Sequence, residues 1–407
     1  MQKLDQAFIE EAFPALGQGR VYLDNAGGSQ IARHTVERMT EFLYSSNVQL
    51  GATYAASAEA GDRVHQGRAA VATLLNAARP EEIVLGATST QLFDQLARSL
   101  VQTWAPGDEV IVTNFDHEAN IGPWSKLAAD DIVVKVWKMR DGAYLPDLDD
   151  LRALLSDRTR LVAVTHASNI YGSINPVREI ADIVHAAGAL ICVDGVAYAP
   201  HRAIDVQALG ADFYGFSIYK TYGPHFSALY GRHDLLLRAG SINHEFFPKD
   251  KVPQKMEPGN ASHELAYSCI GVIDYLEAFA AAHGVNTEGR AAVEAAFQII
   301  SEHEEALSKR LLDYLNARAD VTIIGDPSPD KDRRVPTISF TIEGVSSRAI
   351  VEATDPTGIG IRFGDFYSRR LVEALDLPDP DGVIRVSAVH YNTIDEIDAL
   401  TAHIDTL

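Results

Sequence analysis

Short runs of apolar residues alternate along the chain with longer segments of mixed polarity. The runs include 108–113, 133–137, 160–165 and 190–193, and each has the length of a buried strand. Between them, segments such as 177–187 carry apolar residues at the spacing of an amphipathic helix. Strands that alternate with helices in this way predict an α/β fold, with a largely parallel sheet covered by helices on both faces.

Beyond residue 260 the pattern changes. Two long helical periods, about 262–282 and 287–317, lead into a series of short strands and helices. We therefore predict an N-terminal helical segment at 1–20, a large domain at 21–260, and linking helices with a smaller α+β C-terminal domain at 261–407.

Composition and charge limit the classes of partner. Of the 407 residues, 46% are hydrophobic and 22% are charged, as in ordinary globular proteins. The formal net charge of −21 argues against nucleic acid and anionic membrane surfaces. The first 20 residues lack a basic start and an apolar core, and no uncharged apolar run approaches the roughly 20 residues that span a bilayer. We expect a cytoplasmic protein. Cys192 and Cys269 form no metal-spaced cluster, so no metal is expected.

The candidate chemistry centres on Lys220, which lies in the aromatic stretch 213–224 just before a Gly-Pro turn. A surface lysine on a turn is one interpretation. A buried lysine, in contrast, tends to become a nucleophile or to be held as a Schiff base. Asp194 ends an upstream apolar strand. An aspartate there suits pyridoxal 5′-phosphate (PLP), because it would pair with the pyridine nitrogen while the lysine held the aldehyde.

Other polar residues also follow predicted strands. Thr88, His117 and Asn169 come just after strand ends, as Asp194 does, and active sites in parallel sheets lie at that edge. Thr88 and Ser89 begin a helix after a glycine turn. Free N–H groups and the helix dipole make such a start suitable for phosphate, although a plain helix cap has the same pattern.

Seven stretches, taken in order and spacing, resemble the class V aminotransferases and, within them, the cysteine desulfurase-like branch. They are 22–27, 86–90, 116–120, 168–169, 193–195, 216–220 and 384–387. The resemblance implies PLP as cofactor and PLP-dependent fold type I, with a mainly parallel sheet of seven strands. It also implies a homodimer with shared active sites, because 257–260 resembles the segment that reaches the partner subunit's phosphate.

The same resemblance implies roles for individual residues. His117 would stack on the pyridine ring, and Asn169 would hydrogen-bond the phenolic oxygen. Lys220 would act as general base at Cα, and Arg385 would clamp the substrate carboxylate, against which Gly27 would lie. Further cofactor contacts are expected from Thr88, Ser89, Asp194, Ser217, Tyr219 and Asn260.

Three positions depart from the cysteine desulfurases. The first is Tyr367, a predicted substrate-binding residue, which stands about where the desulfurases carry their nucleophilic cysteine. No cysteine lies in residues 270–407, so persulfide-forming desulfurase activity is disfavoured. The others are Ala197, in place of a usual glutamine, and Tyr219, in place of a usual histidine.

We therefore predict a PLP-dependent enzyme that acts at Cα and Cβ of an amino acid through a Schiff base. A cysteine desulfurase-like C–S lyase working by β-elimination is favoured, since the nearest resemblance is to proteins that break C–S bonds. Transamination stays open. So does racemisation or epimerisation, for which Tyr219, Tyr367 or His390 would be the second acid–base group. A PLP-binding protein without activity is the non-enzymatic alternative.

Overall fold

A computed structural model of the protein describes residues 4–377 and 379–407. The strands are β1 Val21–Tyr22, β2 Ile83–Gly86, β3 Glu109–Thr113, β4 Val133–Trp137, β5 Thr159–Thr165, β6 Leu190–Asp194, β7 Phe213–Ser217, β8 Ser227–Gly231, β9 Val321–Ile324, β10 Thr337–Ile342, β11 Ile359–Gly360, β12 Arg362–Gly364 and β13 Val383–Ser387. The α-helices are α1 Gln6–Ala12, α2 Arg33–Ser45, α3 Ala55–Leu75, α4 Ser89–Leu100, α5 Gly122–Lys126, α6 Leu148–Leu154, α7 Val177–Ala186, α8 Val206–Leu209, α9 His233–Arg238, α10 His263–Ser268, α11 Ile270–Ala282, α12 Gly289–Asn316, α13 Ser347–Thr354, α14 Arg369–Ala374 and α15 Ile394–Ile404.

A seven-stranded sheet organises the larger part of the chain. Its strand order is β2-β8-β7-β6-β5-β3-β4, and β8 runs antiparallel to both of its neighbours. The pairs from β4 through β7 are parallel. The predicted α/β class with a mainly parallel sheet of seven strands is therefore confirmed.

Both faces of this sheet are covered. Along β3 and β5, Val110 and Leu161 face one apolar cluster with Trp124 of α5, while Ile111 and Val162 face the other. This alternation follows from the two-residue period of a strand. Fully burying side chains of this size stabilises the fold by roughly 1.5–3 kcal/mol each.

The C-terminal part has its own four-stranded sheet, in the order β12-β13-β10-β9, which is antiparallel throughout. Its core includes Phe340, Ile384 and Leu400. The N-terminal strand β1 pairs in parallel with β11, and Leu23 is buried in this same core. The chain therefore contributes its first strand to the C-terminal packing unit, and this brings residues 21–24 beside Arg385.

Two helical predictions differ in extent from the structure. The single helix expected over 1–20 is the shorter α1, followed by a 3-10 turn at Leu16–Gln18, and residues 1–3 lie outside the described part of the chain. Helix α1 ends before Pro14, because the residue preceding a proline disfavours helical geometry. The predicted helix 262–282 is α10 and α11, joined at Cys269 with helical φ and ψ.

One helical stretch, His263–Ala282, is long and apolar enough to cross a membrane by composition alone, with a mean hydropathy of 1.4. Of that stretch, 61% is buried against the rest of the protein. A helix that is hydrophobic on most sides is also typical of a protein core.

Candidate active site

A cavity of about 510 Å³ lies at the carboxyl ends of the sheet strands. This is the edge at which ligands bind in open α/β sheets. Most of the predicted site residues line it, namely Thr88, Ser89, His117, Asn169, Asp194, Ser217, Tyr219, Lys220 and Tyr367. Gly27, Asn260 and Arg385 do not line this cavity.

Lys220 and Asp194 stand on neighbouring strands. Asp194 ends β6 and pairs in register with Gly215 of β7, and Lys220 follows β7 in a 3-10 turn. Burial and, to a smaller extent, the charge of Arg385 lower the pKa of Lys220 to about 8, while Asp194 opposes the change. Burial raises the pKa of Asp194 to about 6, against a hydrogen bond from the Val196 N–H at 2.9 Å.

His117 is held as a neutral ring with one defined tautomer. Burial lowers its pKa to about 4, and the charges of Lys220 and Arg385 add to the effect. The backbone N–H of Ala119 donates to Nδ1 at 3.0 Å. The ring proton of the neutral form is therefore on Nε2. The ring centroid lies 5.4 Å from that of Tyr367.

Hydroxyl groups gather at the start of α4. Thr88 caps this helix by accepting a hydrogen bond from the Gln91 N–H at 3.0 Å. Ser217 donates to Ser89 at 3.1 Å, and Ser227 lies 3.4 Å from Ser217. A helix N-terminus with adjacent hydroxyls is suited to a phosphate group.

Asp116 is a second buried carboxyl group near Asp194, which we did not single out from the sequence. Its Oδ2 accepts a hydrogen bond from Asn120 at 2.8 Å, and its Oδ1 has no partner. Burial raises its pKa to about 7, and the charge of Asp194 adds to this. Its position between the end of β3 and His117 could have identified it as a candidate site residue from the sequence.

The loop after β12 is anchored to the strand ends. Asn169 donates from Nδ2 to the carbonyl of Phe366 at 3.0 Å and accepts from Ser368 at 2.7 Å. One N–H of this amide is left for a ligand. Phe366 and Tyr367 both adopt left-handed backbone geometry, with φ of 51° and 59°, and the Glu118 N–H donates to the Tyr367 carbonyl. The backbone of Tyr367 is thereby held at the mouth of the cavity, and the residue is 72% exposed.

Arg385 already has a carboxylate partner within the chain. Its Nη2 donates to Asp24 at 3.1 Å, its Nη1 donates to the Asn169 carbonyl, and its guanidinium lies 3.7 Å from the ring centre of Phe366. Burial lowers the pKa of Arg385 to about 10, and Asp24 opposes this. Gly27 lies beside Asp24, on a second cavity of about 630 Å³.

The remaining predicted residues lie elsewhere. Asn260 is exposed and lines a third, smaller cavity of about 170 Å³. His390 is fully buried and bonded at both ring nitrogens, so it does not reach the first cavity. Ala197 lines the first cavity, but Tyr198 stacks on His166 and does not replace the missing glutamine.

Neither cysteine is available at the cavity. Cys192 and Cys269 are both buried in the core. Burial raises the pKa of the Cys269 thiol to about 12 and that of Cys192 well above its ordinary value. Across residues 4–377 and 379–407, no group of three or more His, Cys, Asp or Glu side chains could hold a metal ion.

Comparison with known proteins gives the class. The model of the family "Aminotransferase class-V" matches residues 21–400, so the chain belongs to the class V aminotransferase family. The chain is 45% identical to the aminotransferase-like protein FGM3 of Gibberella zeae, with 96% of each chain covered. It is 33% identical to the cysteine desulfurase-like protein ustD of Aspergillus flavus, over 99% of this chain and 91% of that one. The solved cysteine desulfurase CsdA of Escherichia coli is 27% identical, over 100% of this chain and 98% of that one, with a TM-score of 0.83.

These families are PLP-dependent, so this chain is a PLP-dependent enzyme of fold type I. The cavity fits that cofactor chemically. It offers an amine at Lys220, a buried carboxylate at Asp194, and hydroxyls at the start of α4. These groups would respectively bind the aldehyde, pair with the ring nitrogen and hold the phosphate.

Proposed function

We propose that this enzyme is a C–S lyase that catalyses β-elimination on an amino acid carrying sulfur at Cβ. The overall reaction consumes water and releases a thiol, a 2-oxo acid and ammonia. One observation carries the proposal. The loop after β12 presents the phenol of Tyr367, rather than a thiol, at the mouth of the Lys220 cavity. Both cysteines are buried away from it.

Lys220 has the properties of the base that this reaction needs. With a pKa of about 8, its amine is partly unprotonated near neutral pH, whereas an ordinary lysine is almost fully charged. The free amine accepts the proton from Cα. Bound PLP supplies the sink for the electrons left at Cα.

In the proposed reaction Tyr367 assists the leaving group. Its ring lies next to that of His117 at the cavity mouth, and the backbone of its loop is held by Asn169 and Glu118. The phenol donates a proton to the sulfur as the C–S bond breaks, so the thiol leaves neutral. Neutral His117, with its proton on Nε2, donates a hydrogen bond at the same place without losing that proton.

Transamination is the second candidate. It is supported by the 45% identical relative, which is described as aminotransferase-like, and by the family itself. The same base would serve both reactions, but transamination needs a second 2-oxo acid to complete its cycle. Racemisation or epimerisation needs an acid–base group on the far face of Cα. Tyr219 and Tyr367 remain as candidates, since His390 is buried outside the cavity.

We also propose that the enzyme acts as a cytoplasmic homodimer with shared active sites. Support for the dimer comes from the segment around Asn260. Glu257 is anchored by a buried ion pair with Arg68 at 2.7 Å, whereas Pro258, Gly259 and Asn260 are exposed. An anchored segment with an exposed tip can contribute a side chain to a second subunit.

The test is to add a panel of amino acids, including S-substituted cysteines, to the purified holoenzyme. The absorbance of the cofactor is followed while 2-oxo acid and ammonia are assayed in the same sample. Elimination predicts that both products accumulate while the cofactor returns to its Schiff-base absorbance. An aminotransferase would instead stay in the amine form of the cofactor until a 2-oxo acid is supplied.

A further inference from the structure

The guanidinium of Arg385 is almost completely enclosed, with 2% of its side chain exposed. A carboxylate can bind a guanidinium through two parallel hydrogen bonds only along an edge that carries two N–H donors. An arginine side chain presents two such edges to a ligand. One edge carries Nε and Nη2, and the other carries Nη1 and Nη2. Nη2 belongs to both, with one N–H on each edge, and in this protein it donates to Asp24 Oδ1.

The other two nitrogens of the Arg385 guanidinium are enclosed by the protein as well. Nη1 donates to the backbone carbonyl of Asn169 at 3.3 Å, and Nε is buried without a hydrogen-bond partner. A substrate carboxylate that binds bidentately therefore either replaces Asp24 on its edge or lies beside Asp24 on the shared Nη2. If Asp24 stayed in place, two carboxylates would share one cation and repel each other.

A second arginine, Arg362, lies close enough to Asp24 to bind its carboxylate. Arg362 Nη1 lies 3.6 Å from Asp24 Oδ2, on the opposite oxygen from the one that Arg385 uses. Half of the Arg362 side chain is exposed. Both guanidinium groups lie over the ring of Phe366, at 3.7 Å for Arg385 and 5.6 Å for Arg362. Asp24 is therefore a carboxylate shared by two cations.

Space is available for Asp24 to move. Asp24, Gly27 and Arg362 line the second cavity, of about 630 Å³. A Cβ atom on Gly27 would lie 3.0 Å from Asp24 Oδ2. The missing side chain leaves the outer oxygen of Asp24 free on that side, so the carboxylate can turn towards Arg362 and the cavity.

We propose that Asp24 is a specificity-determining residue that occupies the carboxylate site of the empty enzyme. The substrate carboxylate displaces Asp24 from Arg385, and Arg362 retains the displaced side chain. This inference rests on the proposed amino-acid substrate, whatever the reaction type. The site should therefore bind ligands that carry a carboxylate, because only an anion can replace Asp24 as the partner of the Arg385 guanidinium.

The test uses propionate, which has a carboxylate but no amino group and so cannot react with the cofactor. Its affinity for the holoenzyme is measured by calorimetry for the wild type, Asp24→Asn, Arg362→Gln and the double variant. Asp24→Asn should bind propionate about tenfold more tightly, because the competing carboxylate is gone. Arg362→Gln should weaken binding in the wild-type background and have a smaller effect in Asp24→Asn.

Controls separate this competition from general charge effects. Asp94→Asn removes a carboxylate at the rim of the first cavity, 3.7 Å from Lys126, and should leave the propionate affinity unchanged. Thermal unfolding of each holoenzyme checks that the variants are folded. Equal or weaker propionate binding by folded Asp24→Asn would overturn the inference, and so would equal effects of Arg362→Gln in both backgrounds. If propionate follows the expected pattern while the S-substituted cysteines are not cleaved, the inference stands and the proposed lyase function is wrong.

Discussion

At the scale of single residues, the environment of Lys220 determines the chemistry. A lysine among apolar groups loses proton affinity, and the nearby Asp194 only partly compensates. Asp194, Asp116 and His117 are perturbed by the same burial, each towards its neutral form. Burial therefore disfavours the charged forms of these groups in the free protein. This loss of hydration lowers the stability of the folded state.

The Lys220→Ala variant tests the central residue. We expect no Schiff-base absorbance and a loss of turnover of several orders of magnitude, because the base and the cofactor linkage disappear together. Lys126→Ala, which removes an exposed amine at the rim of the same cavity, is the matched control and should retain both. A Lys220→Ala enzyme with full turnover would show that another group acts as the base and holds the cofactor.

The buried carboxyl of Asp116 predicts a pH-dependent penalty on folding. Its pKa is raised from 3.8 to about 7, so between those values the folded state holds a proton that the unfolded state releases. Asp116 should therefore make the free energy of unfolding of the cofactor-free protein fall more steeply, as pH rises from about 4 to 7, than it would without this carboxyl group. In Asp116→Asn this fall should be smaller by about 3 kcal/mol. Denaturant unfolding at pH 4.5 and 8 measures it, and identical pH profiles for the two proteins would refute the assignment.

At the scale of elements, a buried hydrogen-bond chain links α11, the segment after β13 and the Lys220 turn. The hydroxyl of Tyr222 donates to the Pro200 carbonyl, so His390 must donate from Nδ1 to Tyr222 at 3.1 Å. His390 Nε2 then accepts from Tyr275. Burial keeps the pKa of His390 well below its ordinary value. Tyr222 has a left-handed backbone, with φ of 64°, and the chain supports this geometry two residues after Lys220.

Replacing His390 with Phe should therefore affect both stability and the cofactor. Tyr222 keeps its bond to the Pro200 carbonyl, but the buried phenol of Tyr275 is left unsatisfied, which costs about 1–3 kcal/mol. The Lys220 turn loses a support, so the spectroscopic pKa of the Schiff base should shift. Tyr275→Phe, which leaves the bond between His390 and Tyr222 intact, should lower stability without moving that pKa. A His390→Phe enzyme with wild-type stability and a wild-type pKa of the Schiff base would contradict the account.

The alternation of strands and helices predicted the elements that carry the site, and the positions just after strands predicted the cavity lining. That inference works because the carboxyl ends of parallel strands lie at the same edge of the sheet, whatever conformation the loops adopt. The pairing of Asp24 with Arg385 was not predictable in this way. It depends on β1 joining β11 at the far end of the chain, a contact that local periodicity does not encode. The anchoring of Asn169 by Ser368 is long-range for the same reason.

At the scale of the whole molecule, the predicted cofactor residue Asn260 is exposed outside the Lys220 cavity of its own chain. In the proposed homodimer this residue serves the other subunit. Subunits of Asn260→Ala and Lys220→Ala, each impaired alone, should recover activity when unfolded and refolded together. One site of the mixed dimer then has both residues. Turnover measured before and after mixing gives the answer, and no recovery with proven mixed dimers would contradict shared sites.

The most direct test of the central claim is the product balance from S-benzyl-L-cysteine with the holoenzyme at pH 8. Thiol, pyruvate and ammonia are measured together over time. The account predicts that all three appear in equal amounts over many turnovers with no added 2-oxo acid. Alanine together with a benzyl mixed disulfide on the protein, or a 2-oxo acid that keeps its sulfur and forms without ammonia, would contradict it.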